Sequence, residues 1–319
     1  MTERIPSGTR DVLPDEMREL RALVERLRGV FDARGYGEVS TPTLEYEATL
    51  TRGDLGGATP AYRLFDEQGN VLVLRSDMTV PIARVAATRY AQAEPPLRFC
   101  YAAHTFRGVR IHQGQAREFL QAGIELLGAP APAGTIEVLT VLCEALDASG
   151  LETYRIGLGD ASAYPALLDA LGVRPERRDP LLHELVTRDF VGLEREIHAL
   201  GLPAADAELL LRMPQLRGGP EVLAELPPVM ADAAAGLRLV LDGLPVSARE
   251  RIIFDLGLAR SLGYYTGAVF DVYDPALGVP IGGGGRYDEL LGRFGRPMPA
   301  VGFALGVERL HMALAGEGQ

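Results

Sequence analysis

Hydrophobic positions recur at two spacings along the chain, and the changes in spacing mark the predicted elements. In residues 15–34 the large apolar side chains recur every three or four positions, which predicts an amphipathic helix that ends at Gly35. The stretch "NVLVLRSDMTVP" predicts a turn, a strand through Arg75 and then a helix from about Thr79. Two strand-like stretches, "PLRFCYAAHTFRG" and "REFLQAGIELLG", flank a polar hairpin tip at 108–116.

The pattern changes again in the second half of the chain. From about 161 to 248 the sequence is rich in alanine, leucine and proline, which predicts a small helical insertion. Strand patterns return in "RIIFDLGL" and "AVFDVYD". Strands, then helices, then strands, with hairpin-like neighbours, favour an α+β fold with an antiparallel sheet flanked by helices. We therefore expect one domain over residues 1–319, interrupted by the insertion.

Composition and charge narrow the possible functions. The net charge of −11 argues against broad nucleic-acid binding, which needs a basic surface. All 32 basic residues are arginine, so neither a P-loop lysine nor a Schiff-base lysine is present. The spacing of Cys100 and Cys143 and of the five histidines predicts no disulfide, no metal site and no cofactor. With no apolar run of about 18 residues and a polar N-terminus, the predicted location is the cytoplasm.

One face of the strand that follows the hairpin tip carries unusual side chains. Period two places Gln121, Gly123 and Glu125 on one face, while the apolar residues between them face the core. Glycine within a strand often marks the close approach of a ligand or of another backbone. This face could bind a small polar molecule that has an ammonium or imidazole group. The alternative is a solvated sheet face.

Two further stretches carry candidate binding groups. Asp77 and Thr79 lie where a strand gives way to a helix, and they could cap that helix, bind a ligand or do both. Arg260 precedes Tyr264 and Tyr265, so an arginine that can clamp a carboxylate or phosphate stands beside two phenol rings. The alternative is a loop whose tyrosines pack in the core.

The hairpin is locally basic within an acidic protein. No acidic residue occurs from Pro95 to Arg117, and this interval contains four arginines, Arg98, Arg107, Arg110 and Arg117. Such a patch suits a polyphosphate or an acidic partner. A solvated hairpin with unremarkable charges is the alternative. The glycine run "GGGGRYDELLG" lacks the GxGxxG spacing and is by itself only a weak phosphate-loop signal.

Taken in order, these stretches resemble a known family. The segments "LRSDMTVPIAR", "FRGVRIHQGQAREFLQAGIELLG", "LARSLGYYTGAVFD", "GGGGRYDELL" and "AVGFALGVERL" look like the catalytic domain of histidyl-tRNA synthetase, a class II synthetase. The resemblance covers nearly the whole chain, including an insertion between the second and third class II motifs. It implies a class II synthetase-like sheet and a pocket for histidine.

The resemblance also implies a role for individual residues. Pro42 corresponds to the motif 1 proline at the dimer interface. Arg260 corresponds to the catalytic arginine, and Arg107 and Arg309 to the arginines that bind ATP. The histidine contacts would be Asp77, Thr79 and Gln121 at the amino group, Glu125 and Tyr265 at the imidazole, and Tyr264 in the pocket wall.

Several departures change the implied function. Val109 stands where the family has the adenine-recognising glutamate, Gln115 replaces an arginine aimed at the polyphosphate, and Gly263 replaces an aspartate. The chain also ends shortly after "GVERL", so we expect no anticodon-binding domain and no tRNA. Arg107 and Arg309 then mark a vestigial nucleotide or anion site.

This profile resembles the synthetase paralogues that serve as regulatory subunits of ATP phosphoribosyltransferase, the first enzyme of histidine biosynthesis. The resemblance implies a non-catalytic chain that forms a homodimer, binds L-histidine and assembles with a short-form catalytic subunit into a hetero-oligomer. Two alternatives stay open at this point. One is a stand-alone histidine-adenylating ligase that lacks an anticodon-binding domain, and the other is a histidine-binding module without a partner.

Overall fold

The computed structural model describes residues 5–53, 61–108, 116–258 and 263–317. The predicted first helix is confirmed as α1 (Pro14–Ala33), with a proline and two acidic residues in its first turn. Its buried side chains include Leu20, Leu27 and Phe31. The helix ends just before Gly35, whose φ of 77° suits glycine.

The strands follow in chain order. They are β1 (Gly37–Glu38), β2 (Leu44–Tyr46), β3 (Arg63–Phe65), β4 (Val71–Leu74), β5 (Leu97–Phe106), β6 (Glu118–Leu127), β7 (Arg155–Asp160), β8 (Arg217–Gly218), β9 (Ile252–Asp255), β10 (Ala268–Tyr273), β11 (Gly282–Arg286) and β12 (Ala300–Gly306).

The remaining helices lie between and after these strands. They are α2 (Glu47–Gly53), α3 (Thr79–Thr88), α4 (Ala133–Ser149), α5 (Ala163–Ala170), α6 (Arg178–Thr187), α7 (Phe190–His198), α8 (Ala204–Arg212), α9 (Ala231–Gly243), α10 (Val246–Arg249) and α11 (Val307–Glu317). Short 3-10 helices cover Pro175–Arg177, Met213–Gln215, Pro220–Glu225, Pro228–Met230 and Leu291–Phe294.

Within the described residues, the large sheet contains nine strands in the order β1-β5-β6-β12-β11-β10-β7-β9-β8. The central pairs are antiparallel, as predicted, and β5 and β6 form the expected hairpin. The β1–β5 and β7–β9 pairs are parallel, so the sheet is mixed. These parallel pairs join segments that are distant in the sequence, and local alternation cannot reveal their direction. Strands β2, β4 and β3 form a separate antiparallel sheet.

The two faces of the large sheet have different neighbours. On one face, alternate residues such as Ile124, Phe303 and Phe270 pack with buried side chains of α1, α4, α9 and α11 in the main core. The opposite face of β5, β6, β12 and β11 meets a smaller cluster that contains Phe99, Tyr264 and Tyr287. The side chains predicted to bind a ligand lie on this second face.

Residues 163–243 are mostly helical and have their own buried cluster, which includes Leu167, Leu193 and Met213. We call this part of the chain the helical segment. It also contains β8, which pairs with β9 and extends the large sheet. The helical segment is therefore joined to the sheet by backbone hydrogen bonds, which a purely helical insertion would lack. No helix among the described residues has the length and apolar character to cross a membrane.

Candidate functional site

Glu125 occupies the centre of the candidate site. It lies on β6 between Phe99 of β5 and Gly302 of β12, and its side chain is only 1% exposed. Thr79, the first residue of α3, donates a hydrogen bond from Oγ1 to Glu125 Oε1 over 2.6 Å. The Tyr287 hydroxyl donates to Glu125 Oε2. The solvated-face alternative is therefore wrong for Glu125, because the carboxyl group is enclosed and held by two hydroxyl groups.

Glycines of the neighbouring strands make room for this carboxyl group. A Cβ atom at Gly302 would lie 1.9 Å from Glu125 Oε2. Gly285, which pairs with Gly302, has the ring of Tyr265 above it, 2.9 Å from where its Cβ would stand. These two glycines leave room on β12 and β11 for the carboxyl group of Glu125 and for the ring of Tyr265.

A second carboxylate faces the same site. Asp77 is 7% exposed and accepts a 2.8 Å hydrogen bond from the backbone N–H of Val80, so it caps the first turn of α3. Its charge raises the pKa of Glu125 and also that of Tyr264. The capping interpretation is thus confirmed, and Asp77 still contributes negative potential to the site. No group of three metal-ligating side chains lies together in the described part of the chain.

The protonation of Glu125 follows from its surroundings. Burial raises its pKa to about 8, while the hydroxyl groups of Thr79 and Tyr287 act in the opposite direction. Near neutral pH the side chain of the free protein is therefore largely protonated. A ligand that brings positive charge or N–H donors to this position would favour the ionised carboxylate.

The rings of Tyr264, Tyr265 and Tyr287 pack together beside Glu125. The rings of Tyr264 and Tyr265 are tilted against each other with centroids 4.9 Å apart, and Tyr264 meets Tyr287 edge to face at 5.7 Å. Tyr264 is 1% exposed, so the core-packing alternative holds for that ring. Tyr101 lies over Gly123, where a Cβ would come within 2.7 Å of the tyrosine hydroxyl. Gly123 therefore makes space for a side chain and for the Phe303 carbonyl, which would stand 2.0 Å from that Cβ.

Gln121 lies further along the same face. It pairs with Ala103 of β5 and with Gly306 of β12, and it is half-buried. It lies four positions before Glu125, which corresponds to about 13 Å between the two Cα atoms. Gln121 and Glu125 lie on the same face of β6, as the alternation predicted.

The basic residues divide into different environments. Arg309 of α11 is half-buried and donates to the Pro280 carbonyl over 2.8 Å. Burial lowers its pKa, and the nearby positive charge of Arg107 lowers it further, so the two arginines are close enough to repel each other. The Arg107 guanidinium also lies 5.8 Å from the centre of the Phe119 ring.

Arg98 is a correction to the predicted anion patch, because it pairs with Glu137 over 2.9 Å. Glu137 therefore compensates the charge of Arg98, which lies near the start of β5, whereas Arg107 follows the end of that strand. The predicted roles of Arg260 and Arg110, and the departures at Val109 and Gln115, fall outside the described residues.

Sequence reasoning assigned no role to Tyr287, Gly302 or Tyr101. Tyr287 belongs to the "GGGGRYDELL" stretch, yet it is 162 positions from the carboxyl group to which it donates. Alternate small residues in β12, at Gly302, Ala304 and Gly306, were an available signal for an open sheet face.

Comparison with known proteins agrees with this geometry. The sequence profile of the histidyl-tRNA synthetase family matches residues 8–310. An ATP phosphoribosyltransferase regulatory subunit of Symbiobacterium thermophilum is 43% identical over 99% of this chain and 81% of its own length. The chain belongs to the family of ATP phosphoribosyltransferase regulatory subunits.

Solved structures place this family in the histidyl-tRNA synthetase fold. A Bacillus halodurans protein described as an ATP phosphoribosyltransferase regulatory subunit/histidyl-tRNA synthetase is 33% identical, with a TM-score of 0.89 over 98% of this chain and 84% of that one. A histidine–tRNA ligase subunit of Alicyclobacillus acidocaldarius is also 33% identical, with a TM-score of 0.86 over 100% of this chain and 99% of that one. The predicted α+β fold of the class II synthetase type is therefore confirmed.

Proposed function

We propose that this chain is the non-catalytic regulatory subunit of an ATP phosphoribosyltransferase and that it senses L-histidine at the site around Glu125. The observation that carries the proposal is the enclosed carboxyl group of Glu125, held by Thr79 and Tyr287 in a member of this family. Burying a carboxyl group destabilises the free protein, and a ligand N–H group that bonds to it recovers part of that cost. Imidazole is such a ligand, since its N–H group donates to a carboxylate.

Each end of histidine has a candidate partner around Glu125. In this proposal the imidazole lies against Glu125 and Tyr265. The α-ammonium group lies toward Asp77, Thr79 and Gln121. Two carboxylates suit such a ligand, because Glu125 can accept from the imidazole N–H and Asp77 can face the positively charged ammonium group.

The nucleotide half of the site supports a regulatory role. Arg107 and Arg309 lie close together and could still hold an anion. The family's adenine-recognising glutamate is replaced by Val109, however, and Gln115 replaces an arginine. Losing one charged hydrogen bond typically costs about 1.5–3 kcal/mol. Two such losses would weaken ATP activation strongly, so we assign this chain no catalytic residue.

The proposed assembly contains a second copy of this chain and the short-form catalytic subunit. Support for the homodimer comes from the motif 1 region, where Pro42 is exposed beside the small sheet. That sheet presents Leu44, Tyr46 and Leu64 on one face, and these residues are 44%, 53% and 43% exposed. Clustered exposed apolar side chains are typical of protein interfaces. We expect a Tyr46→Ser/Leu64→Ser double variant to sediment as a monomer, and a persistent dimer would place the interface elsewhere.

The central test is reconstitution with a purified short-form catalytic subunit. We expect phosphoribosyl transfer to require this chain and to be inhibited by histidine. A histidine-dependent exchange of pyrophosphate into ATP by this chain alone would instead support the ligase alternative, which the retained Arg107 and Arg309 favour. Activity of the catalytic subunit without this chain would contradict the regulatory proposal.

The pocket assignment is tested separately from the assembly. Histidine should raise the melting temperature of the wild-type protein, and Glu125→Ala should abolish that rise because the imidazole loses its carboxylate. Glu118→Ala, an exposed position on the same strand, is the matched control and should keep the full response. If histidine still stabilises Glu125→Ala, the ligand lies elsewhere. The cytoplasmic location stays a prediction from the sequence.

A further inference from the structure

A cluster of charged side chains joins the helical segment to the large sheet. Asp255, the last residue of β9, has a side chain that is 2% exposed. Its Oδ2 accepts hydrogen bonds from Arg217 Nη2 over 2.5 Å and from Arg188 Nη2 over 3.3 Å. Arg188 Nη2 also donates to the Tyr273 hydroxyl of β10 over 3.0 Å. Both arginines belong to the helical segment, whereas Asp255 and Tyr273 belong to the sheet.

Arg188 has a backbone conformation that is unusual for a residue with a side chain. Arg188 caps the C-terminal end of α6 with φ 56°, the one positive φ at a non-glycine residue in the described ranges. Glycine is the favoured residue at such a position because it has no Cβ. An arginine here is disfavoured by its backbone, whereas its side chain bonds to Asp255 and Tyr273.

The turn after Asp255 is held by the same segment. The backbone N–H of Leu256 donates to the Leu216 carbonyl over 3.0 Å. Gly257 packs so closely on the Pro214 carbonyl that a Cβ would stand 2.0 Å from it. The helical segment thus contacts the end of β9 through two side chains and through backbone at consecutive residues.

A short path leads from this cluster to the pocket wall. The Asp255 carbonyl packs on Gly159 of β7, where a Cβ would lie 2.5 Å away. Two residues later, the Ala161 N–H donates to the Gly267 carbonyl over 2.9 Å. Gly267 follows Tyr265 by two positions, and the Thr266 N–H is itself bonded to the Arg286 carbonyl. The end of β7 therefore touches both Asp255 and the stretch that carries the two tyrosines.

We propose that Arg188, Arg217 and Asp255 form a latch that positions Tyr264 and Tyr265, so that docking of the helical segment and ligand binding in the pocket are energetically coupled. The coupling to histidine rests on the proposed function, whereas the positioning of the tyrosines does not. Coupling of this kind is reciprocal, so a ligand in the pocket also tightens the latch.

The first experiment needs no ligand. Hydrogen exchange of backbone amides, read by mass spectrometry on peptides covering residues 263–267, should be at least about threefold faster in Arg188→Gly than in wild type. Because glycine suits this backbone, the relief of backbone strain offsets part of the lost contact with Asp255, and the melting temperature, measured alongside, separates positioning from general stability. Arg188→Lys should restore slow exchange. Arg195→Ala, which removes an arginine paired with Glu184 and Glu196 inside the helical segment, should leave it unchanged.

The second experiment measures histidine affinity by calorimetry. We expect Arg188→Gly and Arg217→Ala each to weaken binding about fivefold or more, and Arg195→Ala to have no effect. Unchanged exchange at residues 263–267 in both latch variants would refute the latch whatever the ligand does. If the wild type binds no histidine while Arg188→Gly still speeds that exchange, the proposed ligand is wrong and the latch stands.

Discussion

Replacing Glu125 by glutamine should make the protein more stable, and by an amount that grows with pH. Glutamine has the same shape as protonated glutamate: its oxygen accepts from one of the two hydroxyl groups, and its amide N–H donates to the oxygen of the other, as the protonated carboxyl group does. The substitution removes only the possibility of a buried negative charge. Its effect on the free energy of unfolding therefore reports the cost of ionising Glu125 in the folded protein.

The size of the effect follows from the two pKa values. The pKa of Glu125 is about 8 in the folded protein, against an ordinary value of 4.5. Between these pH values the folded protein holds a proton that the unfolded chain releases, so the stability of the wild type falls as pH rises. The fall is about 1.4 kcal/mol per pH unit and sums to at most about 5 kcal/mol. Glutamine does not titrate and escapes this loss.

Urea denaturation at pH 5, 6, 7, 8 and 9 without ligand measures this difference. We expect the variant and the wild type to converge toward pH 5, to diverge in favour of the variant up to about pH 8, and then to stay a constant amount apart. Glu118→Gln, an exposed position of β6, is the control and should follow the wild type. A stability difference that does not change with pH, or a variant that is less stable at pH 8, would show that burial does not raise the pKa of Glu125.

Two further substitutions examine how the carboxyl group is held. Tyr287→Phe removes one donor to Glu125, so we expect a higher pKa for Glu125, a loss of about 1–3 kcal/mol of stability and weaker histidine binding. Calorimetry across pH measures the histidine affinity, and an unchanged affinity would contradict the role of this hydroxyl group. Gly302→Ala places a Cβ 1.9 Å from Glu125 Oε2, so it should displace the carboxyl group and abolish histidine binding. The control is Gly236→Ala, where a Cβ meets nothing within 4 Å, and this variant should bind histidine normally. Histidine binding that survives Gly302→Ala would contradict this account.

Local features of the sequence were sufficient for much of the fold. The spacing of apolar residues predicted α1 to within one residue at each end, and alternation predicted the β5–β6 hairpin and the side on which Gln121 and Glu125 lie. The stretch around Thr79 correctly predicted a strand followed by a helix. These predictions depend on residues within one or two helical turns of each other or along one strand, and such residues are close together in the sequence.

Non-local contacts decided what the sequence could not. The parallel edge pairs, the pairing of Arg98 with Glu137 and the strand β8 inside the helical segment each join parts of the chain that no periodicity connects. The predicted role of Arg260 and the predicted lack of an anticodon-binding domain remain predictions.

The sequence by itself determined that Gln121, Gly123 and Glu125 share one face of a strand, because alternation is written along the chain. Only the tertiary structure decided the chemistry of Glu125. Gly302 of β12 and Tyr287, which directly follows β11, reach this carboxyl group from distant parts of the sequence, and burial raises its pKa. Desolvation and charge–charge interaction depend on distance in space, so they become defined only when the strands come together.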